Sequence, residues 1–225
     1  MKKRMILTAA CLCLLGAGLI MYKTINSARP IKIACVGDSI TWGAYLKNRS
    51  KECYPYQLGQ LLGNSYTVKN FGVNSATVQK DGDKPYWDQK AFIKSTSWKP
   101  DIVILMLGTN DTKLQNRGDI EHFADDYASL ADHYLSASSR PEVWLMTPPP
   151  IFTPDGEDAP RFDMHRQTLD QEICSIFKIA REKGLTVIDL HDALDGQSRY
   201  FQLDGVHPDK DGAAFIARTV YEALS

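Results

Sequence analysis

Ser39, Asn110, Asp204 and His207 are residue types from which acyl-transfer chemistry is built, and each lies in a short stretch containing glycine. Ser39 belongs to "CVGDSITWG", residues 35–43, directly after the apolar run Ile31-Lys32-Ile33-Ala34. Gly, Asp and Ser are also what an ordinary turn uses, so this stretch alone reads as a turn or as a nucleophile. At a strand-to-helix turn, however, a serine hydroxyl is exposed, and the N–H groups opening the next helix can receive negative charge. Such a serine needs a base to take its proton.

Five histidines are available. His122, His133 and His165 fall on helical stretches, off their apolar faces, and read as solvated surface. His191, in Asp189-Leu190-His191-Asp192, follows an apolar run and is one candidate base. His207, in Leu203-Asp204-Gly205-Val206-His207-Pro208, is the other. Here a glycine separates the histidine from an aspartate three residues earlier, so the chain can fold back. Asp204 could then hold one imidazole nitrogen while the other faces Ser39. The adjacent Asp192 does this less easily for His191. Read as a bare turn, Asp204-Gly205 would leave His207 as a helix-entry residue. Transition-state charge also needs donors. Asn110, in Gly108-Thr109-Asn110-Asp111, could aim its amide at an oxyanion, and the stretch Asn70 to Thr77 could present a backbone N–H.

These stretches need a scaffold that brings them together. Five apolar runs read as buried strands: Ile31–Val36, Tyr66–Asn70, Asp101–Leu107, Glu142–Met146 and Leu185–Leu190. Helical periodicity joins Ile120, Phe123, Tyr127, Leu130 and Tyr134, and again Leu169, Ile173, Ile176, Phe177 and Ala180, with Gly184 as a stop. A last helix covers about Asp211–Leu224. Alternating strands and helices predict an α/β domain whose parallel sheet is covered on both faces, with its site outside the carboxyl ends of the strands. Thr147 to Pro160, rich in proline, follows the fourth strand and is expected to form a site rim.

Taken in order, Gly37-Asp38-Ser39, Asn70-x-Gly72, Gly108-x-Asn110-Asp111 and Asp204-x-x-His207-Pro208 resemble the four blocks of the SGNH (GDSL) hydrolase superfamily over about residues 31–225. The resemblance implies a flavodoxin-like three-layer α/β/α sandwich with a five-stranded parallel sheet. It implies Ser39 as nucleophile, His207 as base, Asp204 as its orienter, Asn110 as oxyanion donor, and no metal or cofactor. No Gly-x-Ser-x-Gly elbow occurs, which argues against the α/β-hydrolase fold. The family's second block supplies a glycine N–H to the oxyanion hole beside that of Ser39; here Ser75 stands at that glycine's place, with Gly72 as the alternative donor. The stretches "VGDSITWGA", "PPPIF", "VIDLHDAL" and "DGVHPDKDGAAFIA" look most like exported bacterial esterases that remove acetyl groups from carbohydrates, sialate and xylan O-acetylesterases among them. Trp42, Tyr45, Tyr86, Trp87 and Phe152 could stack on a sugar or simply pack. A lysophospholipase or thioesterase of the same fold, and a non-catalytic membrane-tethered glycan-binding protein, are the alternative functions.

The chain of 225 residues suits one domain, expected at residues 30–225, after an N-terminal segment at 1–29. That segment carries Lys2-Lys3-Arg4 and an apolar run from Met5 to about Tyr22. Eighteen residues at 1.5 Å each span roughly 27 Å, so it reads as a membrane anchor, a cleaved signal peptide or a lipoprotein leader, and the chain as exported. All five basic residues among the first thirty fall outside the domain, leaving 21 basic against 27 acidic groups over residues 31–225. A net charge of −6 and the lack of a basic stripe exclude nucleic acid as an expected partner. Cys35, Cys53 and Cys174 show neither disulfide nor metal spacing.

Overall fold

The computed structural model describes residues 29–225, so the expected leader or anchor lies outside the described residues. Five strands form one parallel sheet: β1 Ile31–Gly37, β2 Tyr66–Gly72, β3 Ile102–Met106, β4 Glu142–Met146 and β5 Thr186–Ile188, in the order β2-β1-β3-β4-β5. This is the flavodoxin-like order, and it reverses between β1 and β3. Ligands in such sheets bind outside the strand ends at that reversal.

Two separate cores explain the three layers. Alternate residues of a strand point to opposite faces, so Ile31, Ile33 and Cys35 of β1 enter one core while Ala34 and Val36 enter the other. The first core is closed by the helices α3 (Tyr54–Leu62) and α8 (Lys210–Leu224), through Tyr54, Leu58, Ile216 and Val220. The second is closed by α5 (Ile120–Leu135) and α6 (Arg166–Lys183), through Phe123, Tyr127, Leu130, Ile176 and Ile179. The inner face of α6 differs from the periodicity reading. Phe177 is exposed, and Glu172 is buried there. β5 is also shorter than expected, because Asp189 caps a one-turn helix, α7 (Leu190–Ala193), by accepting the Asp192 N–H.

Short helices fill the crossovers: α1 (Ser39–Trp42), α2 (Arg49–Glu52) and α4 (Lys90–Ser97). The strand register then sets where chemistry can occur. Gly37 pairs with Gly72 on one side and Met106 on the other, so the three chain segments leaving β1, β2 and β3 emerge in one row.

The closeness of α1 to β2 depends on Gly72. A Cβ there would stand 2.2 Å from Trp42 N and 2.7 Å from the Thr41 carbonyl carbon, both backbone atoms. Gly72→Ala should therefore displace α1 and cost about 1–3 kcal/mol in urea denaturation, as overpacking does. Gly59→Ala is the control. Its Cβ would meet only Val68 at 3.6 Å, and helix propensity should make it neutral or stabilising by up to about 1 kcal/mol.

Candidate active site

Ser39 opens α1 directly after β1. Asp38 caps that helix, its Oδ1 accepting the Ile40 N–H at 2.9 Å, and this leaves the Ser39 N–H at the first position, where no intrahelical acceptor exists. The Ser39 hydroxyl meets His207 Nε2 at 2.9 Å. His207 Nδ1 meets Asp204 Oδ2 at 2.7 Å. A carboxylate only accepts, so Nδ1 carries the proton and Nε2 is left to accept from the serine. Ser39, Asp204 and His207 are all buried. Burial alone would raise the Asp204 pKa. Hydrogen bonds from the His207 side chain and from the His207 and Val206 amides outweigh it and hold the carboxyl below its usual range.

The turn bearing Asp204 and His207 is fixed from several sides. Asp204 Oδ1 accepts the Val206 and His207 amides, both at 2.9 Å. Gly205 adopts φ +72 and lies against the Phe152 carbonyl, where any Cβ would fall 2.2 Å from that oxygen, and its own carbonyl accepts the Phe152 N–H at 2.8 Å. The proline-rich stretch from Thr147 thus buttresses the histidine turn. Its expected place at the rim is taken by residues just beyond it, Phe162 and Met164.

Two further segments converge on Ser39. Asn110 Nδ2 donates one hydrogen to Ala76 O at 3.1 Å, which orients the amide and leaves its second hydrogen free for the cleft. Asp111 accepts the Val78 and Gln79 amides, and Gln79 Nε2 donates to Asn116 O while Asn116 Nδ2 donates to Asn110 O. The segments after β2 and β3 are thereby tied into one unit. Ser75 stands at φ 63, in the left-handed region a glycine enters freely, and lines the cleft. Among the described residues its amide has no acceptor. The Gly72 N–H is engaged by Asn70 Oδ1 at 2.9 Å.

The cleft encloses about 340 Å³ and is walled by Trp42, Tyr45 and Phe162. Tyr45 and Phe162 approach the His207 ring edge-on, with centroids at 4.9 and 5.8 Å. The other three aromatics lie elsewhere. Tyr86 is buried and donates to Phe71 O, Trp87 donates to Val78 O and packs on Phe92, and Phe152 packs on Phe201. His191 donates from Nδ1 to Pro148 O and does not line the cleft. His165 caps α6, and His133 is half-buried among Phe92 and Tyr134, with Nε2 2.9 Å from Thr96 Oγ1. Asn74, inside the stretch Asn70 to Thr77, lines the cleft as well, whereas Phe162, Met164 and Lys113 line it without any sequence signal, since each lies outside the motifs.

Behind the cleft, burial pushes the Asp38 carboxyl up to about 6, against the opposing pull of the Ile40 amide and the His207 charge. A group whose native pKa exceeds its unfolded value stabilises at low pH and loses that contribution as pH rises. For Asp38 the loss spans roughly pH 4 to 6, opposite in sign to Asp204, whose contribution is lost as pH falls. Asp38→Asn keeps the cap and removes the titration. Relative to the parent, the variant should gain about 2–3 kcal/mol between pH 4 and pH 7 in paired urea titrations. A difference independent of pH would contradict this.

A sequence profile of the GDSL-like lipase/acylhydrolase family matches residues 35–215. The chain is 34% identical over 212 residues to an acetylxylan esterase of Xylanibacter ruminicola; the alignment takes in 86% of this chain and 43% of that protein, so the chain spans less than half of this relative's length. Among solved structures, the inhibitor-bound aryl esterase of M. smegmatis superposes with a TM-score of 0.70 at 21% identity, covering 86% of this chain and 98% of that one. A carbohydrate acetylesterase from Sinorhizobium meliloti gives 0.69 at 19% identity, again covering 86% and 98%. At such identities the structural likeness is one of fold. The family match takes in nearly the whole domain, from the strand before Ser39 to the helix after His207, and the chain belongs to the GDSL-like lipase/acylhydrolase family.

Proposed function

We propose that this chain is a serine esterase that removes short acyl groups, chiefly acetyl, from carbohydrate hydroxyls. The reading rests on one observation above the others: the unbroken hydrogen-bonded series Ser39, His207, Asp204 opening into a small cleft walled by aromatic rings. Ser39 Oγ attacks the ester carbonyl carbon as its proton passes to His207 Nε2, and Asp204 stabilises the imidazolium. The carbonyl oxygen takes the negative charge and is met by the Ser39 N–H, the Ser75 N–H and the free hydrogen of Asn110 Nδ2. Collapse expels the sugar alcohol, which takes the proton from His207. Water then repeats the sequence on the acyl-serine, its proton passing to His207, and releases the carboxylic acid and free Ser39.

Two considerations favour an acetyl group on a sugar. The cleft volume lies near the lower end of the ~300–1,000 Å³ usual for small-molecule sites, which suits a short acyl chain. Trp42, Tyr45 and Phe162 offer flat apolar surface for a sugar ring, and the 34%-identical relative is an acetylxylan esterase. The basic and then apolar N-terminus supports an exported protein, tethered or released, and cell fractionation distinguishes the two.

Kinetics on acetyl, butyryl and octanoyl esters and on O-acetylated sugars test the reading. Acetyl should be preferred, and Ser39→Ala and His207→Ala should each lower kcat by at least about 1,000-fold. His191→Ala should stay within about threefold of the parent. Asn110→Ala should lose about 100- to 1,000-fold, the usual cost of one oxyanion donor, whereas Ser75→Gly keeps its N–H and its turnover. Undiminished activity in Ser39→Ala would refute the assignment, and a preference for octanoyl would refute the substrate class.

A further inference from the structure

A second cavity, of about 270 Å³, adjoins the segment that carries Asn110. Asn110 lines the catalytic cleft and Asp111, the next residue, lines this cavity, so the two spaces share one stretch of chain as a wall. To the same cavity α6 contributes Thr168 and Glu172, and the chain after β2 contributes Gln79.

The cavity is rich in acceptors and poor in free donors. Glu172 is only 1% exposed, and its Oε2 has no hydrogen-bond partner among the described residues. That oxygen lies over Gly108, where a Cβ would stand 3.0 Å from it. Gln79 Nε2 donates to Asn116 O at 2.8 Å, and its Oε1 is turned to Gly118, where a Cβ would stand 3.2 Å from it. Both Asp111 oxygens accept backbone amides, those of Val78 and Gln79. Burial and the charge of Asp111 together push the Glu172 carboxyl well above its ordinary range. Among the described residues no cation forms an ion pair with it. Arg117 and Asp119, of opposite charge, lie at the exposed mouth, and the nearby Tyr127 hydroxyl donates to Leu105 O at 3.1 Å.

A buried carboxyl without a partner is costly, and a donor entering the cavity would offset that cost. Two carboxyls side by side favour a donor that carries positive charge, because a cation lets Glu172 ionise where burial and Asp111 oppose it. A metal ion is a poor match: among the described residues no group of three or more His, Cys, Asp or Glu is placed to hold one. A primary ammonium brings three N–H donors and one charge, which is what Glu172 and Gln79 Oε1 lack.

We propose that this cavity binds a small primary amine in its ammonium form, with Glu172 as counter-charge and Gln79 Oε1 as a second acceptor. The inference stands apart from the esterase reading, since it needs neither Ser39 nor an ester.

The test is titration calorimetry of the full-length chain with ethylammonium chloride, in sodium phosphate free of other amines. Saturable binding with a Kd of about 1 mM is expected, near the ceiling for so few non-hydrogen atoms. Tetramethylammonium, a cation without N–H donors, and ethanol, a donor without charge, should each bind at least about tenfold more weakly. Glu172→Gln, close in size to the parent, should weaken ethylammonium by at least about tenfold. Gln171→Lys places a positive charge at the exposed mouth and should weaken it about threefold or more by repulsion. Because Gln171 is exposed, this second variant tests the site without disturbing the core. No saturable binding by the parent, equal binding of ethanol or tetramethylammonium, or full affinity in both variants overturns the proposal, and each does so while leaving the esterase reading untouched.

Discussion

A single hydrogen bond, 2.9 Å between Ser39 Oγ and His207 Nε2, joins residues 168 positions apart, and most of the molecule can be understood as what that contact requires. One end is placed by β1, the strand buried on both faces at the centre of the sheet reversal. The other end hangs on a turn with no strand of its own. It is held by Gln202 N donating to His207 O at 2.7 Å, Asp209 N to Tyr200 O at 2.9 Å and Phe152 N to Gly205 O at 2.8 Å. The packing of α8 on α3 then fixes the distance between the two ends, because α3 follows Ser39 and α8 follows His207. A loosening of that apolar contact would lengthen a polar one far from it, which is why geometry at such a site is sensitive to distant packing.

The charges around the contact are sorted by environment. Asp204 accepts three hydrogen bonds and stays below the usual carboxylate range, so it remains ionised beside His207. Behind the segment bearing Asn110, burial pushes Asp111 up to about 7 and drives Glu172 well above its ordinary value. Glu172 Oε2 has no hydrogen-bond partner among the described residues, which fits a carboxyl that gives up its charge rather than its burial. One carboxylate therefore acts on the imidazole at close range, while burial disfavours the charged forms of Asp111 and Glu172.

The strands and the four motifs were readable because each follows a local rule: continuous apolar runs for strands covered on both faces, and turn residues placed at strand ends for the motifs. The helices α5 and α6 carried apolar periodicity, although α6 exposes Phe177 and buries Glu172. The short helices did not. α3 contains Pro55 and Gly59, and its helical state is imposed by Tyr54 and Leu58 entering the core. The cleft walls were partly legible, since Trp42 and Tyr45 adjoin a motif, whereas Tyr86 looks the same in sequence and is core. Phe162 and Lys113 reach the cleft only through tertiary placement, the bridge between Lys113 and Met164 bringing two distant segments side by side. Nor could sequence separate Ser75 from Gly72. The difference lies in Asn70, whose side chain takes the Gly72 amide and leaves that of Ser75 open.

Backbone conformation gives the clearest sign that the cleft is shaped against local preference. Among the described residues, six other than glycine have positive φ, and four of them, Tyr45, Ser75, Phe162 and Asp163, line the cleft or adjoin a residue that does. Such conformations cost about 1–3 kcal/mol each and persist only where surrounding contacts over-determine them. Those contacts are present: Ala76 N donates to Val73 O across Ser75, Leu114 N donates to Asp163 O, and Met164 N donates to Arg161 O. Phe162 gains little burial in return, because its ring remains 42% exposed. A conformation that is costly and buries little is not explained by folding, and the ring's place beside His207 gives the strain a different purpose. It holds an apolar wall beside His207 at the mouth of a polar site.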